Sequence, residues 1–97
     1  MKENATKNKI KETVVPILKK HNVKRASLFG SIVSGNYTDK SDIDILVELD
    51  DDLSLLDFID IKLEIEDATK RKVDLVEYAT IKPSLKEYIL KQQEDLF

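Results

Sequence analysis

Gly30-Ser31 and, ten residues after Ser31, Asp42 and Asp44 have the types and spacing to handle a polyphosphate. The glycine-serine pair closes an apolar stretch, Ala26 to Phe29, and the two aspartates open a second one, Ile43 to Leu49. Strand side chains alternate faces, so Asp42 and Asp44 point one way while Ile43, Ile45 and Val47 point the other way into a core. Two carboxylates side by side repel, and the pair is stable only when protonated, solvated or holding a cation. Oxygen ligands this close suit Mg²⁺, which takes one or two carboxylates and completes its shell with water and substrate phosphates. A glycine at a strand end lets the backbone approach a ligand, and the N–H groups of a following helical turn attract anions. A phosphate cradle beside metal-binding carboxylates reads as a nucleotide site. A third acid, Asp74, interrupts Val73, Leu75 and Val76 in the run Lys72 to Tyr78. Aspartate is poor in β-structure, and a charge there is costly unless it is paired, metal-bound or at an exposed strand end.

The elements that must position these residues are legible from periodicity. Residues 6–21 predict a helix, with Ile10, Val14 and Leu18 at i, i+4 and i+8 and Ile17 beside them. Pro16 inside it removes a backbone donor and predicts a kink or a break into two pieces. Asn22 is a left-handed stop. Lys24 to Phe29 forms the first strand, and a helical turn follows to about Ser34, ended by Gly35-Asn36. Thr38 to Ser41 is a polar loop before the second strand. Asp50-Asp51-Asp52 is a turn, solvated as most charge runs are, and Asp52 or Ser54 caps the next helix. That helix, about 54–70, carries Leu55, Leu56, Phe58, Ile59, Leu63 and Ile65 as a broad apolar face suited to covering a sheet. Lys70-Arg71-Lys72 closes it with cations, which a helix C-terminus favours. Val73 and Leu75 then share one strand face and Asp74 and Val76 the other. A last helix, about 84–93, has Leu85, Tyr88 and Ile89 on its apolar side. The order predicts an α/β fold in which helices cover a small mixed sheet.

Other chemistry-bearing residues have simpler readings. Ser31 also serves as a helix cap, His21 as a partner of its helix's C-terminal dipole, and Lys72, on the strand face of Asp74, as a phosphate contact. At 97 residues the chain is expected to form one domain, residues 1–97, and 41% hydrophobic content supports one compact core. The net charge of −3 disfavours a nonspecific nucleic-acid binder, which would present a basic face. Cysteine is absent, excluding disulfides and thiolate metal sites. No apolar run reaches membrane-spanning length and the N-terminus lacks a signal peptide's apolar region, so a soluble, cytoplasmic protein is expected.

A lone Asp-x-Asp would read as readily as a solvated strand start. Here Gly30-Ser31, ten intervening residues, Asp42-Ile43-Asp44, and then Asp74 one helix downstream match the GS-x10-DxD signature and third carboxylate of the DNA polymerase β-like nucleotidyltransferases. From about Lys24 to Phe97 the chain resembles the minimal nucleotidyltransferase (MNT) proteins, the antitoxins of HEPN/MNT toxin–antitoxin pairs. The resemblance implies transfer of AMP from ATP to a tyrosine on a HEPN ribonuclease toxin, which adenylylation silences, within a toxin–antitoxin hetero-oligomer. It assigns Asp42, Asp44 and Asp74 as catalytic residues and ligands of two Mg²⁺ ions, and Gly30 and Ser31 as holders of the β- and γ-phosphates. A tyrosine hydroxyl has a pKa of about 10 and needs help to attack at neutral pH, which Asp74 would give. Where the family commonly carries a basic residue after the pair, in a pattern like GSxARG, Ile32, Val33 and Ser34 fill the positions before the retained Gly35, and Ser34 stands where the arginine would. Two other readings therefore stay open: a fold that neutralises its partner by binding alone, and a small-molecule nucleotidyltransferase. Against the latter, 97 residues leave no second domain to shape a small-molecule pocket.

Overall fold

The computed structural model describes residues 2–35, 38 and 41–97. Its elements are α1 (Lys2–Lys20), β1 (Arg25–Phe29), α2 (Ser31–Ser34), β2 (Ile43–Glu48), α3 (Leu55–Thr69), β3 (Val73–Glu77), a 3-10 turn (Tyr78–Thr80), α4 (Pro83–Lys91) and β4 (Glu94–Asp95). The strands form one mixed sheet in the order β3-β2-β1-β4. β1 runs antiparallel to both β2 and β4, while β2 and β3, joined through α3, are parallel. The expected α/β fold with helices on a small mixed sheet is therefore the observed one.

Strand alternation divides the sheet. Ala26, Leu28, Ile43, Ile45, Val47, Val73 and Leu75 are buried on one face, in the cluster that holds Ile10, Val14 and Leu18 of α1 and Ile61 and Ile65 of α3. Each buried aliphatic side chain is worth about 1.5–3 kcal/mol relative to exposure, so this face carries most of the stability. The other face carries Ser27, Asp44, Leu46 and Asp74.

Several local expectations change. α1 runs through Pro16 without breaking, although the proline ring cannot give the carbonyl of Glu12 its helical amide. Burial of Val14 and Leu18, one on each side of the proline, holds the helix together. Asn22 stops it in the left-handed region (φ 62°), as expected. His21 does more than face the helix dipole: its Nε2 lies 2.8 Å from Glu64 Oε1. The same carboxylate pairs with Lys20, tying the end of α1 to α3. Asp50 pairs with Lys24 at 3.2 Å, and Asp51 and Asp52 are exposed, in keeping with a solvated turn.

Of the two cap candidates for α3, Ser54 is the cap. Its hydroxyl accepts from the Asp57 amide while the Asp57 carboxylate accepts from the Ser54 amide, a capping box. The face of α3 is where the sequence misleads. Only Ile61 and Ile65 are buried, with Phe58 packed partly against the core, whereas Leu55, Leu56, Ile59 and Leu63 are exposed. The inward stripe is thus 58, 61 and 65, the i, i+3, i+7 set, and the remaining aliphatics project outward. On α4 no residue is buried, and Leu85 and Tyr88 are exposed. β4, absent from the sequence reading, is held by more than its short ladder. Glu94 pairs with Lys7 and Lys11 of α1, and Ser27 Oγ donates to Asp95 Oδ1 at 2.9 Å. Tyr78 closes this network, its hydroxyl 2.7 Å from Ser27 Oγ and 2.9 Å from Gln93 Oε1, with Arg25 over its ring.

Candidate functional site

Asp44 is the centre of the carboxylate group because of where the register puts it. On β2 it stands opposite Phe29 of β1 on one side and opposite Asp74 of β3 on the other. Neighbouring strands lie about 4.8 Å apart, so the side chains of Asp44 and Asp74 start from adjacent points of one sheet face. Asp42 precedes β2 by one residue and is two positions from Asp44, hence on the same side. The Asp44 carboxyl is pushed up to about 6 from its ordinary 3.8, first by burial and then by the charges of Asp74 and Asp42.

Gly30 is built against this centre. Its φ of +79° lies in the region L side chains avoid, and a Cβ there would overlap Oδ2 of Asp44 and sit 3.1 Å from its Cγ. Only glycine lets the bend touch the carboxylate. The structure also corrects the role of Ser31. Gly30 is the N-cap of α2 and makes no side-chain cap bond, while Ser31 is the first helical residue, so its hydroxyl is not spent on capping. The amides of Val33 and Ser34 both donate to the Gly30 carbonyl, which leaves the amides of Ser31 and Ile32 outside the helical pattern. Gly35, at φ +91°, ends the turn as expected. Of the residues between the Gly30-Ser31 pair and Gly35, Ile32 is buried in the core and Ser34, at the arginine position, is exposed beside Ser31.

The sequence reading missed what α4 contributes. Tyr88, Ile89 and Gln92 face Phe29, Gly30, Ser31 and Ser34 across a cavity of about 420 Å³. An amphipathic reading places Tyr88 in a core; its neighbours Lys86 and Glu87, both exposed, were the available sign that α4 lies at the surface.

The donor set is three carboxylates and no nitrogen or sulfur, which is the chemistry of a hard divalent cation such as Mg²⁺. A centre whose carboxyl is lifted by burial and then by two like charges gains from a cation, and in that respect these residues fit one. Among the described residues no three acidic, imidazole or thiol side chains already converge as a ligand set.

A mixed sheet with a glycine-serine bend beside strand-borne carboxylates defines a nucleotide-handling α/β protein, and comparison with known proteins makes the class definite. The family model described as Polymerase beta, Nucleotidyltransferase matches residues 9–97, and the chain belongs to that family. It is 46% identical over 89 residues to a protein of Methanocaldococcus jannaschii assigned as a protein adenylyltransferase, MJ0435, covering 92% of this chain and 96% of the relative. It is 34% identical over 70 residues to the protein adenylyltransferase MntA of Thermococcus cleftensis, covering 72% and 71%. Among solved structures it superposes with a TM-score of 0.79 on a chain of a toxin–antitoxin crystal structure with AMP-PNP, at 25% identity, covering 90% of this chain and 72% of that one.

Proposed function

We propose that this chain is an antitoxin that transfers AMP from ATP to a tyrosine hydroxyl of a cognate HEPN ribonuclease toxin and so silences it. The observation that carries the reading is the seat of Asp44, beside Asp74 in register and touching the Gly30 bend. That arrangement joins a carboxylate centre to backbone amides suited to phosphate. The relatives add the transferred group and the acceptor class, since two of them are named as protein adenylyltransferases and a structural neighbour is a toxin–antitoxin complex with an ATP analogue.

In the reaction the tyrosine oxygen bonds to the α-phosphorus of ATP, the bond from that phosphorus to the pyrophosphate oxygen breaks, and the tyrosine proton leaves. Asp74, on the acceptor side, takes up that proton. Gly30 and the amides of Ser31 and Ile32 orient the departing pyrophosphate in line, the task that dominates phosphoryl transfer. Asp42, Asp44 and Asp74 would hold Mg²⁺. When bound there, two such ions would supply charge neutralisation to the transferring phosphoryl group.

Ser34 at the arginine position favours a second reading, neutralisation by binding alone. ATP labelled at the α-phosphate, Mg²⁺ and the co-expressed toxin separate the two. Label should appear on the toxin and vanish with Asp42→Asn/Asp44→Asn. Tight binding with no label would leave only the scaffold.

A further inference from the structure

The outer face of α3 is apolar where it should not be and acidic around the edge. Leu55, Leu56, Ile59 and Leu63 are 74%, 72%, 39% and 54% exposed. Spaced at 55, 59 and 63 with 56 alongside, they form one stripe along the helix. A small protein rarely leaves such a stripe in water without a partner for it. Beside its N-terminal end a cavity of about 500 Å³, whose lining includes Leu53, Leu55, Phe58, Leu75 and Val76 together with the acidic Glu77, offers a socket for a large side chain.

The charges around the stripe select the occupant. Asp51, Asp52 and Asp60 are exposed, Asp67 is offset by Lys70 at 3.5 Å, and Lys62 is the other lysine on the helix, so the balance around the stripe is acidic. A second copy packed antiparallel about Ile59 would match Leu55 to Leu63. The same symmetry would set one acidic rim against another, which is destabilising at close range. A ribonuclease is the opposite case. It must carry cationic side chains to hold the phosphates of RNA, and the acidic rim complements them. We infer that the outer face of α3, Leu55, Leu56, Ile59 and Leu63 with Asp51, Asp52 and Asp60 beside them, is the docking surface for the basic face of the toxin, separate from the site that modifies it. This rests on the function proposed above.

The placement gives docking and chemistry different signatures. α3 covers the core face of the sheet, whereas Asp44 and Asp74 lie on the other. The two meet at one edge, where the Val73 amide opening β3 donates to Glu66 Oε2 of α3 at 2.9 Å. A toxin gripped along α3 reaches the carboxylates around that edge. Contacts on α3 therefore set the affinity for the toxin and leave the chemical step alone.

The test is steady-state adenylylation of an RNase-dead cognate toxin by the full chain, with Leu56→Glu/Leu63→Glu as the variant. Both leucines are exposed, so the melting temperature and Mg²⁺-ATP affinity should stay at wild-type values. The KM for the toxin should rise about 30-fold or more, as loss of two interface anchors does, with kcat unchanged. Asp51→Asn/Asp52→Asn/Asp60→Asn should slow association several-fold at low salt and flatten its salt dependence. An unchanged KM with Leu56→Glu/Leu63→Glu would overturn the docking surface while leaving the enzyme reading intact. A wild-type dimer in sedimentation that the same variant converts to monomer would assign the face to a second copy. Wild-type chain that neither binds nor labels the toxin would instead remove the proposed function, and the docking surface with it.

Discussion

The two faces of the sheet are finished to different degrees. The core face is closed by α1 and α3, with Leu28, Ile43, Ile45 and Ile61 fully out of water. The opposite face carries Asp44 and Asp74 in one register row, and α4 contributes no buried residue anywhere. The first is stable because apolar area leaves water, a term that needs no ligand. The second half-buries a carboxyl beside like charges at a cost, visible in Asp44, which is raised first by burial and then by Asp74 and Asp42. Folding alone completes one face; on the function proposed above, a cation and a polyphosphate would complete the other.

Breaking the open face should abolish chemistry and spare the fold. Asp42→Asn/Asp44→Asn is expected to lower label transfer about a thousandfold or more, the several kcal/mol that metal-assisted charge stabilisation supplies, with the circular dichroism spectrum unchanged. Breaking the closed face should do the reverse. Ile61→Ala removes a fully buried side chain and should cost about 2–5 kcal/mol in urea unfolding, with kcat for the remaining folded enzyme near wild type. Gly30→Ala sharpens the border between them. Its Cβ must push the Asp44 carboxylate aside, so transfer should fall about 10- to 100-fold, as a displaced reacting group does, through kcat more than through stability.

The smallest effect is a pH slope. Because the folded state holds the Asp44 proton more tightly than the unfolded chain, this group's stabilisation is full below about 3.8 and is lost as pH rises through about 6. Glu64 and Glu94, held below the ordinary carboxylate range by hydrogen bonds from Lys20 and Lys11, slope the other way on acidification. The difference between metal-free wild type and Asp44→Asn isolates the first group. Asp44→Asn should gain in relative stability between pH 4 and pH 7, as read by thermal unfolding at several pH values.

The closed face and the site spacing were legible for one reason: strands have a period of two. Ile43, Ile45 and Val47 against Asp42 and Asp44, and Val73 and Leu75 against Asp74, assign faces with no further information. α3 was harder because it has more aliphatic residues than its inward stripe can use. Leu55, Leu56, Ile59 and Leu63 looked like core, and Ile61, which is core, was passed over. Hydrophobicity reports that a side chain avoids water without saying whether its own chain or a partner covers it. The contact between Gly30 and Asp44 was only half visible. A glycine at the strand end was plain, but the overlap its Cβ would cause depends on register. β4 was invisible, since Glu94 and Asp95 have little strand propensity and are placed by Lys7, Lys11 and Ser27. The expectation for Asn36 to Lys40, apart from Thr38, lies outside the described residues.

Thermal unfolding with and without Mg²⁺-ATP tests the open face most directly. At a hundred times its Kd, Mg²⁺-ATP should add about 2.7 kcal/mol to the wild-type chain, a rise of roughly 10 °C or more at this size, and should shift Asp42→Asn/Asp44→Asn little. A wild-type melting curve unmoved by millimolar Mg²⁺-ATP would contradict the account: the aspartates would then be a charged sheet face and nothing more.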